Sequence, residues 1–209
     1  EPMAEVRMSI PGRHNVSNAL AAMAIATRCG VDPQVAAEAI GRFGGAQRRL
    51  TLRGVTGGVH VVDDYAHHPT EVQVTLRAAR DFYSPRKLFV VFQPHQHSRT
   101  RFLLSDFARS FSAADVVVVP DIYFVRDSES ERGLVAATDL VNQIHSNGGE
   151  ARYEPDFERI VAMLCDEVQE GDLVMTMGAG NVWQIADSLL ASLKVRQAQG
   201  KSYEVRTTK

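Results

Sequence analysis

The apolar positions of this chain fall into two regimes. Between residues 87 and 177 short, wholly apolar runs recur with helical patterns between them: Lys87–Phe92, Asp115–Val119 and Asp172–Met177. Such runs read as strands buried on both faces, because a strand with one wet face would alternate. The segments between them predict helices over Phe102–Phe111, Leu134–Asn147 (closed by Gly148-Gly149) and Asp156 to about Val168, with a short strand at 151–153. A last strong helix is predicted over Val182–Leu193. Upstream, Leu50–Val55 and Val59–Val62 flank Gly57-Gly58 as a hairpin, and a helix with Val72, Leu76 and Ala79 on one face runs from Pro69 to about Phe82. Strands alternating with helices predict a doubly wound, mostly parallel Rossmann-like α/β sheet with helices on both faces, over residues 48–195.

The first 47 residues follow another pattern. Loose alternation of Ala4, Val6, Met8 and Ile10 predicts a strand, broken by Pro11-Gly12. Two helices follow, His14 to Cys29 with Gly30 as its C-terminal cap, and Asp32-Pro33 to about Phe43 with Asp32 as N-cap. They have long apolar faces but no strand run of their own to cover, so they read as the tail of another domain. Gly44-Gly45-Ala46 is the joint, and a boundary is placed after residue 47. The polar tail 196–209 is expected to fray.

Composition narrows the function classes. At 209 residues, 44% hydrophobic and 23% charged, the chain is an ordinary globular one, and a net charge of −2 gives no electrostatic case for nucleic acid or an anionic membrane. Cys29 and Cys165 lie in separate helical patterns and read as small hydrophobes of a reducing cytoplasm. No apolar run approaches the roughly 18 residues a membrane span needs. The opening Glu1-Pro2 is no basic, apolar leader and carries no initiator Met, so the chain is expected to begin partway through a longer polypeptide.

Four loops at predicted strand carboxyl ends are polar: Asp63-Asp64-Tyr65-Ala66-His67-His68, Gln93 to Arg101, Pro120 to Asp127, and Gly178-Ala179-Gly180-Asn181. Right-handed crossovers place all four on one edge of the sheet, where open α/β folds bind ligands. Arg99 and Arg101 are candidates to clamp a carboxylate or phosphate, against the plainer reading that Ser98 or Thr100 caps a helix and the arginines are solvated. His67, His68, His95 and His97 lack a Cys partner and an HxxxH spacing, which disfavours a transition-metal site. Gly178-Ala179-Gly180 is half of a dinucleotide fingerprint without its third glycine, and a tight turn explains it equally well. Arg48-Arg49 at the joint reads on charge alone as a solvated pair. No GxxxxGK[ST] is present, so no phosphate loop lies within the chain.

Several stretches together resemble the Mur ligases: His14-Asn15-Val16-Ser17-Asn18-Ala19-Leu20, Phe43-Gly44-Gly45-Ala46-Gln47-Arg48-Arg49, Asp63-Asp64-Tyr65-Ala66-His67-His68-Pro69-Thr70-Glu71, and Phe92-Gln93-Pro94-His95 with Ser98-Arg99-Thr100. His68-Pro69, where sister ligases tend to carry Thr-Pro, is similar to the member that adds the first amino acid. The resemblance implies three domains, of which this chain would hold the last helices of the central ATP-binding domain and the C-terminal α/β domain. It implies an ATP-dependent, Mg²⁺-assisted reaction of peptidoglycan synthesis in which the carboxylate of UDP-N-acetylmuramate becomes an acyl phosphate that L-alanine attacks. Site roles follow by the same route: Asn15 and Asn18 at adenine, Asp64 at ribose, Arg49 at the γ-phosphate, Tyr65 and His67 near L-alanine and the muramoyl carboxylate, Arg99 as a substrate clamp. Catalysis would then fall to Arg49, His67 and Arg99, and substrate contacts to Tyr65, His67, His95, Arg99 and Arg126. Relatives tend to carry His-Arg-Tyr where this chain has His95-Gln96-His97, so a clamping cation would have to come from Arg99 or Arg126. The partners implied are these small molecules and upstream domains of the same polypeptide. A different class stays open beside this: a non-catalytic Rossmann-like module that binds a nucleotide or amino acid.

Overall fold

The computed structural model describes residues 3–207, with side chains described through Gln199. Six strands form one sheet: β1 (Thr51–Thr56), β2 (Val59–Asp64), β3 (Leu88–Phe92), β4 (Val116–Val119), β5 (Ala151–Tyr153) and β6 (Leu173–Met177), in the order β1-β2-β6-β3-β4-β5. Only the edge pair β1–β2 is antiparallel. Its turn is Gly57-Gly58 with φ of 59° and 74°, the two positive values a tight hairpin of native twist requires.

Eight helices accompany the sheet: α1 (Arg13–Arg28), α2 (Pro33–Gly41), α3 (Pro69–Tyr83), α4 (His97–Phe102), α5 (Leu104–Ser110), α6 (Ala137–Ser146), α7 (Phe157–Glu167) and α8 (Trp183–Thr207). Every residue of β3, β4 and β6 is buried, which is why those runs are continuously apolar. Alternation along them divides two cores. Leu88, Val90, Phe92, Val117 and Met175 pack with α3, α5 and α6, while Phe89, Val91, Val116, Val118 and Val174 pack with α7 and α8. The doubly wound architecture read from the sequence is therefore the observed one.

Three expectations need correction. Residues 3–10 form no strand, because among the described residues no strand lies beside them to take their hydrogen bonds; instead Ser9 Oγ donates to the carbonyl of Phe43 at the end of α2. Residues 1 and 2 lie outside the described part. The loop after β3 is half helix: α4 begins at His97, five residues before the predicted start. The last helix continues past Leu193 to Thr207, since Lys194, Arg196, Gln197 and Ala198 favour helix without an apolar face. Residues 208 and 209 of the expected tail lie outside the described residues. No described helix is long and apolar enough to cross a membrane.

Candidate active site

Parallel pairing brings the ends of β2, β6 and β3 level: Asp64 pairs with Met177, and Met177 with Phe92. β3 runs on toward β4, whereas β6 feeds α8, which returns over β2 and β1. The crevice between neighbours that send their connections opposite ways is where such sheets take ligands.

Adjacent strand residues point to opposite faces, so Asp63 and Asp64 do different work. Asp63 is fully buried and accepts from Thr176 Oγ1 at 2.7 Å and from Arg48 Nε at 2.7 Å. The other arms of Arg48 donate to the carbonyls of Gly178 (2.7 Å) and Gly180 (3.2 Å), tying the joint to the loop after β6. Arg48 is thus no solvated surface arginine, and sequence reasoning missed it. Asp64, on the other face, accepts from the backbone N–H of Leu50 at 2.6 Å and of Ala66 at 2.7 Å. Burial pushes its carboxyl above the usual range, against the pull of those N–H groups and of Arg49. Arg48 and Leu50 sit at φ of 55° and 48°, so the chain wraps around both carboxylates while Arg49 between them turns outward, about half exposed and 3.7 Å from Glu71.

Arg49 and Asp64 form one wall of a cleft of about 700 Å³. The other wall comes from α1 and α2: Asn15 and Asn18, one turn apart, with Ala19, Ala22, Ile40 and Phe43. Asn18 Nδ2 donates to Asn15 Oδ1 at 3.3 Å, and Asn15 Nδ2 to the carbonyl of Pro11 at 2.6 Å. All four residues expected at the nucleotide therefore border one space. Its chemistry suits that ligand class, with an apolar wall for a ring, amide groups at its edge, and a cation and a carboxylate at the mouth.

Beyond Asp64 the edge carries a row of rings. Arg48 lies over the Tyr65 ring (5.2 Å), Tyr65 meets His67 edge-on (5.1 Å), His67 meets His95 (6.1 Å), and His95 stacks on Tyr123 (5.8 Å, 20° between planes). The Nδ1 of His67 lies 2.9 Å from the carbonyl of Tyr65, which can only accept, and 3.6 Å from Glu71 Oε2, so both neighbours call for a proton on Nδ1. Arg99 Nη1 approaches His95 Nδ1 at 3.4 Å. Burial, then the charges of Arg99, His67 and Arg126, hold His95 below its usual 6.5, with Asp127 opposing them. An NMR titration of this chain should find His95 titrating below 6.5, and Arg99→Ala should move that midpoint up. A wild-type His95 midpoint at or above 6.5 would contradict the arrangement. Because the folded pKa is the lower one, the stability linked to His95 is complete above 6.5 and is lost as pH falls from there through the lower folded midpoint.

The glycines after β6 are explained by close packing. A Cβ on Gly178 would stand 2.6 Å from the carbonyl oxygen of Gln93, at a φ of 143°, and one on Gly180 would stand 2.5 Å from Gln93 Oε1 and 2.8 Å from the Tyr123 ring. This supports the tight-turn reading and brings in Gln93 and Tyr123, which lie in two of the polar loops but received no individual role from the sequence. Among the described residues no three His, Cys, Asp or Glu converge to hold a metal ion. Arg101 is spent on Glu131 (3.0 Å) and is no part of the crevice. His68 and His97 also stand outside the row of rings, His97 buried against Phe124.

A model of the Mur ligase glutamate ligase domain matches residues 48–180. The chain is 47% identical over 188 residues to the UDP-N-acetylmuramate–L-alanine ligase of Caldanaerobacter subterraneus subsp. tengcongensis, covering 90% of this chain and 40% of that protein. Among solved structures, the UDP-N-acetylmuramate–alanine ligase of Thermotoga maritima matches at a TM-score of 0.73 and 26% identity, covering 95% of this chain and 40% of that one. A murein peptide ligase of Psychrobacter arcticus matches at 0.68 and 30% identity, covering 90% and 38%. The chain thus spans about 40% of the length of the curated relatives it matches.

Proposed function

We propose, from the premise that this chain belongs to the Mur ligase family, that it is the C-terminal part of a cytoplasmic ATP-dependent amide ligase of peptidoglycan synthesis joining L-alanine to UDP-N-acetylmuramate. In this reading residues 1–47 complete a central ATP-binding domain, residues 48–195 form the amino-acid-binding domain, and 196–209 are an appendage.

The observation that carries the proposal is that Asn15, Asn18, Arg49 and Asp64 border one cleft, and that Tyr65, the residue after Asp64, begins the row of contacts through His67 and His95 to Arg99. Asn15 and Asn18 would meet the adenine edge. Asp64 has a lone pair left on each oxygen for ribose hydroxyls, and Arg49 would offset charge on the γ-phosphate. Turned toward that row, a muramoyl acyl phosphate would meet the amine of L-alanine, whose carboxylate Arg99 would hold. The ammonium must lose a proton before it attacks, and with Nδ1 donating to the Tyr65 carbonyl, Nε2 of His67 would be the ring nitrogen available to take it. The Mg²⁺ that the family implies meets no group of three or more His, Cys, Asp or Glu among the described residues, and we assign it mainly to the upstream part of the polypeptide.

A coupled phosphate-release assay tests the proposal. With ATP, Mg²⁺, UDP-N-acetylmuramate and L-alanine, the 209-residue chain should give no turnover, while the longer polypeptide that carries it should give L-alanine-dependent release. Turnover by the short chain alone would overturn the division of labour, and a full-length protein idle with L-alanine would overturn the substrate.

A further inference from the structure

Two loops of the edge are joined far beyond the strands they leave. Past β3 and β4, the N–H of Tyr123 donates to the Pro94 carbonyl (2.8 Å) and that of Gln96 to the Tyr123 carbonyl (3.0 Å). Gln96 Nε2 then donates to the carbonyls of Arg126 (3.1 Å) and Val125 (3.4 Å), and the N–H of Ser98 to Asp127 Oδ2 (3.0 Å). Gln96 makes these bonds from φ 68° and ψ 129°, a backbone region that glycine occupies freely and other residues hold only when their surroundings enforce it. Arg126, its partner, sits at φ 51°. The side chain carried on this strained backbone does one visible thing: it grips the backbone at Val125 and Arg126.

We propose that Gln96 is a positioning residue that locks the loop after β4 onto the loop after β3, so that Arg126 joins Arg99 as a second cation for the carboxylate of the amino-acid substrate. This deepens the ligase reading and rests on it. Among the described residues neither Arg99 nor Arg126 has a carboxylate ion-pair partner, whereas Arg48, Arg80, Arg86, Arg101 and Arg152 all do. Arg99 thus stands 3.4 Å from the half-buried His95, and Gln96 holds the backbone at Arg126 against the same loop, which puts two guanidiniums without carboxylate partners on the joined loops. The depression of His95 by both arginines accords with their facing the same space.

In the full-length polypeptide, Gln96→Gly relieves the backbone and removes the amide. It should leave the melting temperature unchanged or higher, raise KM for L-alanine about tenfold, and keep KM for ATP within about twofold. Arg126→Ala should raise the L-alanine KM similarly, and the double variant should be no worse than Arg126→Ala alone, because both act through one contact. In hydrogen exchange, residues 123–127 should open faster in Gln96→Gly. An unchanged L-alanine KM in Gln96→Gly, or single effects that multiply, would overturn the proposal while leaving the ligase reading standing. A wild-type protein without L-alanine turnover would instead remove that reading, and this inference with it.

Discussion

Replacing Arg48 by alanine is expected to destabilise the chain by about 3–5 kcal/mol and to lower its melting temperature by roughly 10 °C. The magnitude comes from what is left behind. Asp63 is fully buried, and its second partner, Thr176, offers one neutral hydroxyl. Without Arg48 the carboxylate stays in a low-dielectric environment with no opposing charge, and the carbonyls of Gly178 and Gly180 lose their donors as well. The control is the double variant Arg48→Ala, Asp63→Asn, which removes the stranded charge and keeps an acceptor for Thr176. It should be clearly milder than Arg48→Ala. Urea unfolding followed by circular dichroism measures both. A loss below about 1 kcal/mol for Arg48→Ala, or a double variant equally damaged, would show that the ion pair does not hold the joint to the sheet.

The same residue shows where the sequence stops being legible. The unbroken apolar runs at β3, β4 and β6 declare strands buried on both faces, and the structure shows them so; Asp63-Asp64 reads as the end of a strand, and β2 does end at Asp64. The carbonyl partners of Arg48, however, lie 130 and 132 residues further on, and its carboxylate partner Asp63 is 15 residues away at the far end of a hairpin, so nothing adjacent in sequence distinguishes it from the exposed Arg49 beside it. Helix α4 was hidden for a related reason. Its sequence, His97-Ser98-Arg99-Thr100-Arg101-Phe102, buries only His97 and Thr100, and two such polar residues leave no apolar period to find. The alternation of residues 4–10 misled in the opposite sense, since alternation predicts a strand only where another strand is present to pair with it. Asn15 and Asn18 were placed at a nucleotide through family resemblance, because two asparagines one turn apart on a helix carry no intrinsic signal; their shared cleft with Asp64 is a structural fact. Gly178 and Gly180 were legible as a turn but not as the roof over Gln93, which requires knowing that β6 lies beside β3.

Under the proposed ligase function, replacing Arg99 by alanine should cost the full-length polypeptide about 10²- to 10³-fold in kcat/KM for L-alanine, the scale of removing a charge-assisted contact from a partly desolvated anion. Its effect on folding should be small, because Arg99 has no carboxylate partner among the described residues and its only side-chain neighbour at hydrogen-bonding range is His95, at 3.4 Å. Activity and stability therefore separate at this position, whereas the expected effect at Arg48 is on stability. How the loss divides carries the mechanism. If the guanidinium holds the substrate carboxylate equally in ground and transition states, KM rises and kcat stays; if it also steers the amine toward the acyl phosphate, kcat falls as well. Arg99→Lys should restore only part of the loss, since an ammonium supplies the charge without the two-pronged geometry a carboxylate matches. The variant should also raise the titration midpoint of His95, so an NMR titration beside steady-state kinetics checks that the residue lost its charge and not merely its volume. A kcat/KM within about threefold of wild type, in a protein whose His95 midpoint has risen as expected, would place Arg99 in the electrostatics of the imidazole row and outside the substrate clamp.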